Sequence, residues 1–259
     1  MNLKFFKGFL YQWLRLFFLL PMYIKIKINP TKYSLEDKFS LISNYAKDSL
    51  EFHNINVKIN GYENLPDKNE NVVFVANHAN WIDAFILIKA MDRPSAMIVA
   101  KEAKWDKVPF IKDLMDMINC LHIDRANNRN ALRTINKASE ILKNTSSVGV
   151  FPEGMVTLSD ELTSFKDGVF RMAIKAQVPV LPIHIKNTKD ILKITSRWTG
   201  KMYAKDVEVD ILPPIYSHIN NSMKTKELSD IVRDSIINNK DNKNNKDNKD
   251  NIELIEKEV

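Results

Sequence analysis

The chain has 259 residues, 44% of them hydrophobic and 27% charged, enough to bury a full core in one large domain with additions at its ends. One cysteine, Cys120, excludes an internal disulfide, and its apolar surroundings read as core rather than as a nucleophile. The net charge of +6 resides in the N-terminal arm, because Lys4, Lys7, Arg15, Lys25, Lys27 and Lys32 all precede the first acid, Glu36, and the remainder is neutral. A nucleic-acid binder carries its basic patch on the folded body, so that class is set aside.

Lys4, Lys7, Gln12 and Arg15 recur at helical spacing, with Phe6, Phe9, Leu10, Trp13, Leu14 and Phe17 on the other face. A basic amphipathic helix with Trp and Phe suits the interface of an anionic membrane. The apolar run from Leu16 to Ile24 is interrupted by Pro21 and falls short of the ~20 residues a span needs. Residues 1–33 are therefore expected to form a monotopic anchor, in one form a shallow helical hairpin bent at Pro21, on the cytoplasmic face of the cell membrane. An arm packed on its own domain is the alternative.

Residues 34–237 read as one folded domain. Ser34 caps a helix to Glu51 with Phe39, Ile42, Tyr45 and Ala46 on one face, and Ile55, Val57 and Ile59 alternate as a strand ended by Gly61. Val72 to Ala76 is a short buried strand that breaks at Asn77-His78. Asn80 then opens a helix with Asp83 in its first turn. Ala96 to Ala100 is a strand delivering Lys101, Val108 to Met117 a helix, and Cys120 to Ile123 a strand ending in Asp124-Arg125. A helix over Arg129 to Lys143 and a strand over Val148 to Phe151 lead to Pro152-Glu153-Gly154. Val178 to Ile183 contains two prolines, which places it at an edge or a bulge. Val207, Val209 and Ile211 alternate as a last strand, Lys226 to Ile237 forms a closing helix, and 238–259 is a low-complexity Asn/Lys/Asp-rich tail.

Alternating strands and helices imply an α/β fold with a largely parallel sheet flanked by helices. Its strand C-terminal ends share one edge, which would gather His78 and Asp83, Arg125, Glu153 and Gly154, and Val180-Leu181-Pro182 at one crevice. His78 in a strand-to-helix turn with Asp83 one turn on is a general base with its orienter. The first-turn amides at Asn80 could serve an oxyanion. Arg125 offers a planar fork for a phosphate, or pairs with Asp124 or Glu153. Dinucleotide, phosphate-loop, serine-elbow and zinc-spacing patterns do not occur.

Four of these stretches, in this order, resemble the glycerolipid acyltransferases typified by bacterial 1-acylglycerol-3-phosphate acyltransferase. His78 with Asp83 matches the first family motif, Lys101 through Ile123-Asp124-Arg125 the second, Phe151-Pro152-Glu153-Gly154 the third and Val178 to Pro182 the fourth. The resemblance implies the glycerol-3-phosphate acyltransferase-like fold. It also implies transfer of a fatty acyl group from acyl carrier protein or coenzyme A to a lysophospholipid hydroxyl, giving phosphatidic acid, with no cofactor beyond that thioester. In that reading His78 is the base and Asp83 its orienter, Arg125 with Lys101 binds the acceptor phosphate, Gly154 admits the acceptor, and Glu153 orients a hydroxyl or the guanidinium. Met155 and Val156 stand where the family has Thr or Ser followed by Arg, and Asn119 stands for a glycine. The missing cation makes an acceptor with a zwitterionic head group, such as lysophosphatidylethanolamine, the alternative substrate. A non-catalytic membrane lipid-binding protein is the alternative of a different class.

Overall fold

The computed structural model describes residues 17–101, 111–159, 161–189, 191, 205–216 and 223–239. A first helix, α1, covers 17–28 and continues through Pro21, so no hairpin turns there. Helix α2 (Leu35–Phe52) starts at a capping box: Ser34 Oγ accepts from the Asp37 amide at 3.1 Å, and Asp37 Oδ2 accepts from the Ser34 amide at 2.8 Å. These bonds hold the Asp37 carboxyl below its usual range.

The other elements follow in the expected order. They are β1 (Ile55–Asn60), β2 (Val73–Ala76), α3 (Asp83–Met91), β3 (Ser95–Ala100), α4 (Ile111–Met117), β4 (Leu121–Ile123), α5 (Asn128–Asn144), β5 (Ser147–Val150), α6 (Arg171–Ala176), β6 (Val180–Ile185), β7 (Lys205–Ile211) and α7 over 225–239. The expected start of α4 at Val108 and the tail beyond 239 lie outside the described residues.

Among the described residues seven strands form one sheet in the order β1-β7-β6-β2-β5-β3-β4, parallel throughout except for β6 against β7. Side-chain alternation divides the core between its faces. Phe74, Ala76, Leu181, Ile183, Val207 and Val209 pack with Phe39, Leu50, Ile82 and Leu87 from α2 and the α3 region. Val73, Val75, Val148 and Val150 pack with Ile135 and Leu142 of α5, Met172 of α6, and Leu228 and Val232 of α7. A strand covered on both faces must be apolar at every position, which is why β2 reads as a continuous run rather than an alternation.

Pro179, just before β6, and Pro182 within it mark a bulge and not an edge, since β6 lies inside the sheet between β7 and β2. Val180 exchanges both backbone bonds with Ile215, while Ile183 pairs with Ile211, so three steps along β6 face four on its partner. The Pro182 carbonyl accepts from the Leu212 amide on that side. Its hydrogen-less nitrogen therefore points at the irregular stretch rather than at a regular ladder.

At the other end of the chain, Tyr23 and Ile26 of α1 are buried, Tyr23 Oη donates to Asp113 of α4, and Lys27 pairs with Asp113 at 2.8 Å. The inner face of this part of the arm thus packs on the domain. Phe17, Phe18, Ile24 and Ile28 remain exposed on it. Among the described residues no helix is long and apolar enough to cross a membrane.

Candidate active site

The chain turns from β2 into α3 through Asn77-His78-Ala79-Asn80. Asn77 extends the sheet by side chain: its Nδ2 donates to the Ile185 carbonyl and its Oδ1 accepts from the Ile185 amide, both at 2.8 Å. The turn at His78 is thereby tied to the C-terminal end of β6. Asn80 acts as the first-turn cap although regular helix begins at Asp83. The Asn80 amide donates to Asp83 Oδ2 at 2.7 Å, and Asn80 Oδ1 accepts from the Ile82 amide at 3.3 Å. The Asn80 and Ile82 amides are therefore engaged within the turn itself. The Asn80 amide nitrogen of the side chain donates to the Thr188 carbonyl at 3.0 Å, fixing the cap from the far side.

His78 Nδ1 lies 3.2 Å from Asp83 Oδ2. A carboxylate only accepts, so Nδ1 carries the hydrogen and Nε2 presents its lone pair. Asp83 is 0% exposed and its Oδ1 is buried without a hydrogen-bond partner. In such a low-dielectric place its interaction with the neighbouring ring is little screened by solvent. The ring of Phe151 stacks on the imidazole at a centroid distance of 4.0 Å and an angle of 13°, covering one face and fixing the ring plane. The His78 side chain keeps 16% of its surface accessible, an open edge rather than an enclosed ring.

Glu153 is turned inward beneath His78. It is buried, its Oε1 accepts from the His78 amide at 2.7 Å, and its Oε2 accepts from the Thr163 amide and hydroxyl at 3.0 and 2.9 Å. Both oxygens are committed within the protein, joining the β5 turn, the β2 turn and the 163 segment. The His78 carbonyl in turn accepts from Thr157 N–H at 2.9 Å and from its hydroxyl at 3.2 Å. His78 is held by its backbone on both sides.

Gly154 has φ +78, and a β-carbon there would meet Arg125 Nη1 at 3.3 Å. Arg125 therefore reaches Gly154 from the end of β4, three strands and about 14 Å away from β2 at ordinary strand spacing. Lys101 Nζ sits 3.4 Å from Asp124 Oδ2, alongside Arg125 and not at the glycine. Met155, Val156 and Leu158 of the following loop are exposed. Val180-Leu181-Pro182 does not belong with these groups: Val180 registers with Val73, so that stretch starts β6 at the opposite end of the sheet from His78. Asn119 has φ +59 at the end of α4, a left-handed turn in which Asn is the usual substitute for glycine, so its departure is conformationally conservative.

The structure thus joins His78, Asp83, Glu153, Gly154 and Arg125 through direct contacts, with Lys101 beside them. Phe151, Thr157, Thr163, Asn77 and Thr188 also build the site, and sequence reasoning missed their parts. Phe151 stood inside a recognised motif, but nothing in its spacing told that it stacks on the base. The buried titratable groups elsewhere do not join. Burial lowers His53 to about 4 and pushes the Cys120 thiol up to about 12, so Cys120 is a core residue. Among the described residues no group of three or more His, Cys, Asp or Glu could hold a metal ion.

Comparison with known proteins agrees with this geometry. A solved structure described as the 1-acyl-sn-glycerophosphate (LPA) acyltransferase PlsC from Thermotoga maritima superposes with a TM-score of 0.70 at 23% identity, covering 90% of this chain and 95% of its own, which establishes the shared fold. The 1-acyl-sn-glycerol-3-phosphate acyltransferase of Saccharomyces cerevisiae is 31% identical over 186 residues, 71% of this chain but only 59% of the yeast protein. The probable enzyme of that name from Mycoplasma pneumoniae is 31% identical over 189 residues, 67% of this chain and 70% of the relative. A family model described as Acyltransferase matches residues 56–186, running from β1 past the end of β6 and so including every residue of the site but Thr188. With half of its length matched by that model, and His78, Asp83 and Gly154 all within the matched span, the chain belongs to the acyltransferase family.

Proposed function

We propose that the chain transfers a fatty acyl group from a thioester, on acyl carrier protein or coenzyme A, to the free hydroxyl of a lysophospholipid. The acceptor we favour is 1-acylglycerol-3-phosphate, which gives phosphatidic acid. The observation that carries this reading is the contact of His78 Nδ1 with the fully buried Asp83 carboxylate at 3.2 Å. His78 Nε2 takes the hydroxyl proton as the acceptor oxygen bonds to the thioester carbonyl carbon. When the tetrahedral adduct collapses, the carbon–sulfur bond breaks and the imidazolium returns its proton to the departing thiolate. Asp83 stabilises the imidazolium in between, so its contribution grows in the transition state. The reaction so written involves no cofactor or metal.

Arg125, at Gly154, is suited to the acceptor phosphate, with Lys101 contributing field from beside Asp124. Gly154 keeps the approach open, and Glu153 serves as a positioning residue beneath the base. The relatives' names support phosphatidate synthesis. The exposed Met155 and Val156, in place of a cation, favour lysophosphatidylethanolamine as the second reading. The exposed apolar face of α1 supports a monotopic anchor on the cytoplasmic membrane surface, where a lipid acceptor and a soluble thioester meet.

His78→Ala tests the chemistry. Turnover is expected to fall by about a thousandfold or more. Melting temperature and vesicle binding should stay as in the parent, and near-normal turnover in that variant would eliminate the mechanism.

A further inference from the structure

The loop after Glu153 is neutral at Met155 and Val156, and two cationic side chains from other segments approach Gly154. A β-carbon at Gly154 would touch two side chains from other segments, Arg125 at Nη1 and Lys166 at Cγ, the latter at 3.8 Å. Lys166 comes from the segment before α6, and its backbone is fixed by donation of its N–H to the Pro152 carbonyl at 2.9 Å. Its side chain is exposed, and no carboxylate lies within ion-pair distance of it among the described residues. The neighbouring acids are engaged elsewhere. Glu153 is occupied by His78 and Thr163, and Asp124 faces Lys101.

We propose that Lys166 and Arg125 form the acceptor's phosphate clamp across Gly154, with Lys166 supplying the charge that Val156 does not. The proposal rests on the function proposed above and adds the residue that sets its acceptor. Arg125 supplies a planar fork with a fixed direction, and Lys166 a mobile point charge on a flexible stem. A phosphate monoester with two exposed charges would engage both. A phosphodiester head group carries one charge and a bulky substituent, and would lose most of the lysine's contribution. A clamp built this way prefers the monoester even though the loop itself is neutral.

The experiment uses the full chain in detergent, with one labelled acyl thioester and two acceptors, 1-acylglycerol-3-phosphate and lysophosphatidylethanolamine. Lys166→Gln is expected to raise the KM for the monoester about tenfold. Its kcat, the donor KM, the lysophosphatidylethanolamine KM and the melting temperature should stay within twofold. Lys166→Arg should behave as the parent, and adding Val156→Arg to Lys166→Gln should restore the monoester KM by returning a cation to the loop. An unchanged monoester KM in Lys166→Gln overturns the proposal, as does a loss confined to kcat or equal for both acceptors. A parent protein that acylates lysophosphatidylethanolamine and not the monoester overturns the acceptor reading and the clamp together. A Lys166→Gln result that fails while the parent uses the monoester overturns the clamp alone.

Discussion

Two acceptor oxygens of Glu153 meet three donors, the amides of His78 and Thr163 and the Thr163 hydroxyl. A charged, buried acceptor so surrounded is a structural clamp, and its location decides what its loss does. In Glu153→Gln one oxygen is replaced by an NH2 group that must face an amide donor, so one buried donor is left unmet at a cost of about 2 kcal/mol. The turn under His78 then loosens. The expected outcome is a fall in kcat of tenfold or more with the acceptor KM little changed, alongside a lower melting temperature. A change confined to the acceptor KM would mean instead that Glu153 touches the substrate. The same scale explains why Asp83 suits its task. With Oδ2 shared between the Asn80 amide and His78, and Oδ1 buried without a partner, it has electrostatic capacity left for an imidazolium.

Among the elements, the β2–α3 and β5–loop junctions matter most, because parallel strands deliver both turns to one sheet edge. Spacing alone located His78 and Asp83, since a strand break followed by a helix cap leaves little freedom over six residues. The shared strand ends put Arg125 at the same sheet edge, but its approach to Gly154 from the far edge of the sheet depends on a long side chain. The proline-containing strand did not follow its composition: β6 is interior because the bulge against 211–215 absorbs what a regular ladder could not. The outer strand pair has its own constraint. Gly61 follows β1 with φ +81, and a β-carbon there would lie 2.1 Å from the Ile211 carbonyl oxygen. Gly61→Ala must therefore move backbone at the end of β7. A loss of at least about 2 kcal/mol in unfolding free energy is expected, read from denaturant titration. Because β1 and β7 lie away from His78 in the sheet, kcat of the surviving folded enzyme should be nearly unchanged.

At the scale of the whole molecule, α1 joins the domain to whatever lies against its outer face. Tyr23 and Ile26 point inward, whereas Phe17, Phe18 and Ile28 are 66%, 70% and 79% exposed. Residues that bury nothing in the fold can be changed without unfolding it. Phe17→Ser with Phe18→Ser should therefore weaken sedimentation with anionic vesicles by about tenfold or more, since each ring is worth up to about 2 kcal/mol when transferred out of water. The melting temperature should not move. Unchanged sedimentation would refute the anchor.

The order of elements, the parallel α/β class and the His78–Asp83 pair were determined by the sequence itself, because each depends on contacts within a few residues: hydrophobic period, a cap and a strand break. What the tertiary structure decided was which distant groups meet. Phe151 stacking on the base, Glu153 turned inward to the His78 amide, and Arg125 and Lys166 converging on Gly154 all join segments separated by many residues. Such contacts depend on strand order and side-chain reach, and neither leaves a periodic trace along the chain.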